Sequence, residues 1–194
     1  VINCIYQIKN NFLIIKYEYK SNKSTHVNLT NHSYWNLEKN KKKMIYNHEL
    51  RLNSYKYLQI NKNLIPTGRF KNVKNSIYDF LNFENIGKKL NYFKYKKVNI
   101  KFKGFDTTFV VKKNTRNLVG TLKNNNIQVD FFSNLPGVQL YSAQNLNYKK
   151  KLFPYQGICL ETQYFPDAPN KKNFPSTLIK PNKRYTCFTK IKIN

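Results

Sequence analysis

Leu118-Val119-Gly120-Thr121-Leu122-Lys123-Asn124-Asn125-Asn126-Ile127-Gln128-Val129-Asp130-Phe131-Phe132 reads as one β-hairpin. Leu118–Leu122 and Ile127–Phe132 are short runs of leucine, β-branched and aromatic residues, the side chains that fit a pleated surface. The three asparagines between them supply turn chemistry, because asparagine tolerates left-handed backbone and bonds its own main chain. The pattern recurs in both directions. Downstream, Val138–Ala143 follows a Pro136-Gly137 turn, and Gly157–Gln163 and Tyr185–Ile193 are further strands. Upstream lie Phe105–Val111, the alternating runs Glu49–Leu52 and Tyr55–Leu58, and the apolar run Leu13–Tyr19. Leu64–Gly68 reads as a Pro/Gly turn, and only Phe83–Phe93 suits a short helix. Many short strands with frequent turn signals predict an all-β fold, an antiparallel sandwich or barrel. The lysine-rich segments Lys41–Lys43 and Lys94–Lys103 are expected to be solvated loops.

The 194 residues are enough for one domain with a core, and neither an internal repeat nor a composition break divides them. The chain begins at Val1 in strand-like sequence and is expected to be a segment of a longer polypeptide. No apolar run approaches the roughly 20 residues of a membrane span, so no membrane partner is expected. Cys4, Cys159 and Cys187 are scattered and odd in number, and with His26 and His48 they form no zinc-like spacing. A reduced, cytoplasmic protein without a metal is the expectation. The formal charge of +26 invites a nucleic-acid reading. Only Arg51, Arg69, Arg116 and Arg184 are arginines, however, and phosphate clamps and base readers favour arginine's bidentate fork. Lysine, asparagine, isoleucine, tyrosine and phenylalanine rising together fit AT-rich codon usage better, and no specific nucleic-acid partner is expected.

Two polar islands stand out. In Gly157–Ala168, alternation sets Ile158 and Leu160 on one face and Cys159, Glu161 and Gln163 on the other. A carboxylate in mid-strand is poor β material. From the residues alone Glu161 is either a solvated carboxylate or, on a ligand-lined face, a general base. In Asn28–Leu37, continued strand geometry would place Asn28, Thr30, His32 and Tyr34 together, with Asn31 and Ser33 opposite. His32 is either a structural histidine in a turn or a general acid held protonated by a neighbouring carboxylate. Asp106 enters a strand as a turn or site carboxylate, and Gln139 could bind backbone or a hydroxyl-rich ligand. Tyr34 and Trp35 are either core or a sugar-stacking surface. Phosphate-cradling glycine loops and a Gly-x-Ser-x-Gly elbow are absent from the sequence.

Taken together the islands resemble the aldose 1-epimerase (galactose mutarotase) family. Val27–Leu37 (VNLTNHSYWNL) is similar to that family's histidine motif. Leu64-Ile65-Pro66-Thr67-Gly68, Gly104-Phe105-Asp106, Pro136-Gly137-Val138-Gln139-Leu140-Tyr141 and Leu160-Glu161-Thr162-Gln163 with Pro166-Asp167-Ala168 follow in the family's order. Phe174-Pro175-Ser176-Thr177 and the closing strand also match. The resemblance covers residues 1–194 and only the C-terminal half to three-fifths of a family member. It implies a large antiparallel β-sandwich, the galactose mutarotase-like supersandwich, incomplete at the N-terminus. It implies a general acid at His32 and a general base at Glu161, with Ser33, Tyr34, Trp35, Asp106 and Gln139 contacting a free hexose such as galactose or glucose. No cofactor and a monomer or weak dimer are expected. Thr107 departs from the family's histidine, and the loop between Gln139 and Glu161 is short. The family's N-terminal part supplies an arginine and a second histidine to the sugar, so this segment alone is expected to be inactive, with an open sheet edge. Competing expectations are a degenerate sugar-binding remnant and a hexose-6-phosphate epimerase-like protein.

Overall fold

The computed structural model describes residues 1–40, 42–95, 103–112, 116–147, 149 and 151–194. Its strands are β1 (Ile2–Lys9), β2 (Phe12–Tyr19), β3 (Thr25–His26), β4 (Glu49–Leu52), β5 (Lys56–Ile60), β6 (Pro66–Asn72) and β7 (Glu84–Asn85). Helix α1 (Ile86–Tyr95) follows. Then come β8 (Asp106–Val110), β9 (Leu118–Lys123), β10 (Gln128–Ser133), β11 (Gly137–Tyr141), β12 (Cys159–Gln163), β13 (Leu178–Ile179) and β14 (Tyr185–Ile193). They form an antiparallel sandwich: a seven-stranded sheet ordered β1-β2-β14-β10-β9-β4-β7, a five-stranded sheet ordered β12-β11-β8-β5-β6, and the small pair β13-β3.

The β9–β10 hairpin forms with Lys123 opposite Gln128, and Asn124 Oδ1 accepts from the backbone N–H groups of Asn126 and Ile127. Leu50, Leu122 and Val129 lie side by side in register, as do Leu52, Gly120, Phe131 and Ile191. Gly120 is required there, because a Cβ would stand 2.6 Å from the Arg51 carbonyl oxygen. These side chains meet Phe109, Val138, Leu140 and Leu160 of the five-stranded sheet in one buried core. Each fully buried side chain of this kind contributes about 1.5–3 kcal/mol.

Three expectations are corrected. The turn placed at Leu64–Gly68 occupies Asn61–Ile65, where the Asn61 amide oxygen accepts from Asn63 and Ile65 N–H and Leu64 takes φ +66°. Pro66 then opens β6, an edge strand, where a missing N–H is tolerated. The helix starts later than Phe83, at Ile86, because Asn85 caps it by accepting from Lys88 N–H at 2.9 Å. It buries Ile86, Leu90 and Phe93 on one stripe. The helix also takes in Lys94 and Tyr95, the first residues of the expected loop Lys94–Lys103. Residues 96–102 of that expected loop, and Lys41 of the other lysine run, lie outside the described residues.

At the far edge, β1 continues the core-facing side of the larger sheet without a covering layer. Ile2, Cys4, Tyr6 and Ile8 sit opposite Tyr19, Tyr17, Ile15 and Leu13, yet all eight β1 residues are exposed. Cys4, Cys159 and Cys187 are free. Among the described residues no helix is long and apolar enough to cross a membrane.

Candidate functional site

The outward face of the five-stranded sheet holds the polar groups. β11 lies between β8 and β12, so Gln139 has Thr108 on one side and Glu161 on the other. Tyr141, two residues on, has Asp106 and Cys159. Gly137 opens β11 with the Phe165 ring over it; a Cβ would come within 2.9 Å of that ring.

His32 arrives from a segment that is not a strand of a sheet, yet its side chains still alternate, with His32 and Tyr34 stacked outward and Asn31 buried on the opposite side. It runs beside β12 and is pinned at both ends. Trp35 and Ile158 exchange backbone hydrogen bonds at 2.8 and 2.9 Å. The Asn28 side chain accepts from Tyr164 N–H and donates to Tyr164 O. Between the pins, Thr30 O accepts from the Tyr17 hydroxyl, and buried Asn31 faces Thr189. The result sets His32 Nδ1 3.1 Å from Glu161 Oε1. The imidazole stacks on Tyr34, with centroids 4.9 Å apart and planes 9° apart, and Tyr141 meets both rings edge-on.

His32, Tyr34, Asp106, Gln139, Tyr141, Asn145, Glu161, Gln163 and Pro166 line an open cleft of about 380 Å³. Five of the seven candidates thus come together. Ser33 and Trp35 do not line it. Trp35 bridges to Ile158 and packs edge-on against Phe131, so its ring serves the core. Tyr141 and Asn145 were not singled out from sequence. Tyr141 was within reach of the two-residue period from Gln139, whereas Asn145 lies in a loop that no local signal places. Thr107 is buried and paired with Leu140, so that departure falls on the core side of β8, not in the cleft.

Burial raises the Glu161 carboxyl above its usual range; nearby His32 opposes this and the Asp106 charge adds to it. Burial likewise raises Asp106, against the hydrogen bond from Gln139 Nε2 at 2.6 Å and the attraction of His32. Gln139 is oriented in turn by the Thr108 hydroxyl, which donates to its Oε1. The arrangement is a carboxylate in contact with an imidazole, a second carboxylate nearby, and hydroxyl and amide groups around them. It can move protons at adjacent oxygens of a polar ligand. His32, Cys159 and Glu161 also offer ligand atoms all within 4.8 Å of one another. His26 and His48 sit elsewhere, bonded to the Thr177 hydroxyl and the Leu37 N–H.

The family profile for aldose 1-epimerase matches residues 2–192. Galactose mutarotase of Bos taurus is 34% identical over 190 residues, spanning 93% of this chain and 54% of the relative. The Homo sapiens galactose mutarotase is 32% identical with 93% and 53% coverage, and the Escherichia coli aldose 1-epimerase 27% with 92% and 54%. The chain therefore spans about half the length of the curated relatives it matches. An aldose epimerase homologue from C. elegans superposes with a TM-score of 0.87 at 22% identity, covering all of this chain and 59% of that one. A galactose 1-epimerase from Lactobacillus acidophilus gives 0.84 at 24%, with 100% and 56% coverage. These likenesses establish the shared fold.

Proposed function

Because the chain belongs to the aldose 1-epimerase family, we propose that it carries the acid–base pair of a mutarotase that interconverts the α and β anomers of free hexoses such as galactose and glucose. The observation that supports this most is the 3.1 Å contact of His32 with Glu161 inside the cleft. Glu161, with its raised proton affinity, takes the proton of the anomeric hydroxyl. His32 as imidazolium delivers one to the ring oxygen. The ring opens to the aldehyde, the C1–C2 bond rotates, and closure on the other carbonyl face runs the transfers in reverse. Both oxygens sit on one carbon, so the donor and acceptor must be neighbours, as these are. Each transfer contributes on the order of 100- to 10,000-fold. Asp106 balances the imidazolium charge, and Gln139 holds Asp106 in place.

A free sugar fits better than a sugar phosphate. In a chain of charge +26, none of the described cleft residues is lysine or arginine, while two are carboxylates. A phosphate dianion there would meet two carboxylates and, among the described cleft residues, no cation to clamp it. The test is polarimetry of α-glucose and α-galactose with the natural polypeptide that carries this chain. Mutarotation above the buffer rate, and slower turnover of glucose 6-phosphate, are expected; a rate equal to buffer overturns the reading. The 194-residue chain by itself is expected to turn over little, since the resemblance draws an arginine and a histidine of the sugar site from outside it. Ordinary turnover by the isolated chain would refute that.

A further inference from the structure

Against the cleft, within 4.8 Å of its His32 and Glu161, lies a buried sulfur that proton transfer does not use. Cys159 lies on β12 two residues before Glu161, on the same face, and is fully buried beside the Tyr34 and Tyr141 phenols. Its thiol has no role in opening a hexose ring. Yet its Sγ, the His32 imidazole and the Glu161 carboxylate form the only group of three or more such donors among the described residues.

We propose that His32, Cys159 and Glu161 form a zinc site whose occupation switches the enzyme off; the inhibition rests on the function proposed above, whereas the binding does not. One sulfur, one imidazole and one carboxylate make a donor set suited to Zn²⁺. Three protein donors leave a fourth position for water. Zinc bonds of about 2.0–2.3 Å with tetrahedral angles put donors roughly 3.3–3.8 Å apart. His32 Nδ1 and Glu161 Oε1 are 3.1 Å apart, and the widest of the three separations is at most 4.8 Å. Closing by about 1 Å completes the site. The half-exposed His32 side chain, 53% accessible, is the donor free to make that movement. On binding, the thiol proton leaves to solvent as the sulfur takes the metal, and His32 coordinates through the nitrogen that faces Glu161. His32 then cannot hold a proton at that nitrogen, and the coordinated Glu161 oxygen cannot accept one. Metal binding and acid–base work exclude each other at the same two side chains.

The test is titration of the metal-free protein with Co²⁺. A near-ultraviolet thiolate-to-cobalt charge-transfer band, with intensified visible bands of tetrahedral cobalt, is expected, and stoichiometric Zn²⁺ should bleach both. Cys159→Ser should abolish the charge-transfer band, while Cys4→Ser, altering the exposed thiol on β1, should leave it. Loss of outer partners alone costs roughly 10–100-fold in metal affinity, so His32→Ala should weaken Zn²⁺ binding by at least about 10-fold in calorimetry. That variant alters a half-exposed side chain, so it remains informative if Cys159→Ser fails to fold. In the active protein, Zn²⁺ should suppress mutarotation, and Cys159→Ser, active without metal, should resist it. A missing band, a band lost with Cys4→Ser, or unchanged affinity in His32→Ala overturns the site. Binding through Cys159 by a protein without mutarotase activity overturns the function and leaves the site standing. Activity without the band does the reverse.

Discussion

Glu161→Gln keeps the shape of the side chain and removes its charge. The glutamine oxygen can still accept from His32 Nδ1 across the present 3.1 Å, so the cleft keeps its geometry. What disappears is the proposed base. The rate should fall on the order of 100- to 10,000-fold, about 3–5 kcal/mol of barrier at roughly 1.36 kcal/mol per decade. Stability should move the other way. The residue is 8% exposed, and burial raises its proton affinity, so the folded state disfavours the ionised form. A carboxyl whose folded pKa lies above the unfolded one destabilises the fold at higher pH. That cost disappears as pH falls through the folded pKa toward the ordinary value of 4.5. At neutral pH the variant should therefore melt at the same or a higher temperature than the parent, and the gap should close on acidification. Polarimetry and thermal denaturation of the same preparations measure both. An unchanged rate would remove Glu161 from the mechanism. A rate loss accompanied by a lower melting temperature would mean that the variant damaged the fold, and the reasoning would fail.

Gln139→Leu removes the donor that lowers Asp106, so the Asp106 titration seen by carboxyl NMR should move up. It also strands the buried Thr108 hydroxyl, at about 1–3 kcal/mol in urea denaturation. An unmoved Asp106 would contradict the network. Phe131→Ala should cost about 3–5 kcal/mol and shift Trp35 emission to longer wavelength. Trp35 packs on that ring at 5.5 Å and is the only tryptophan, so an unshifted spectrum would refute its placement. In the β1–β2 turn, Asn10 and Asn11 take φ +48° and +62°. Asn11→Val should weaken the hairpin by about 1–2 kcal/mol, read by hydrogen exchange of β1, while Asn11→Gly should be tolerated. Equal protection in the two variants would argue against the left-handed turn.

The strands were legible wherever the pattern is local. Glu49–Leu52 and Tyr185–Ile193 have the expected bounds, and the Asn124–Asn126 turn sits where asparagine chemistry put it. These features depend on side-chain alternation and on residues that bond their own backbone, and neighbours in sequence suffice for both. The helix starts at Ile86 and not at Phe83 because the Asn85 side chain caps its first turn, a geometry that the residue pattern alone does not fix. Pro66 was read as turn because proline punctuates turns more often than it opens an edge strand.

The sequence by itself determined the β character of the chain, the face that Cys159, Glu161 and Gln163 share on β12, and, through its motifs, the family. Only the tertiary structure decided which of those groups meet. Alternation within Asn28–Leu37 could not show that the segment lies beside β12, pinned by Trp35 to Ile158 and by Asn28 to Tyr164, with His32 against Glu161. Nor could it turn Trp35 into the core, or bring Cys159 within 4.8 Å of His32. The side-chain period of a strand is a property of its own backbone. The neighbour that a strand or extended segment acquires is chosen by burial and hydrogen bonding across the whole sheet, and that choice is made only when the chain folds.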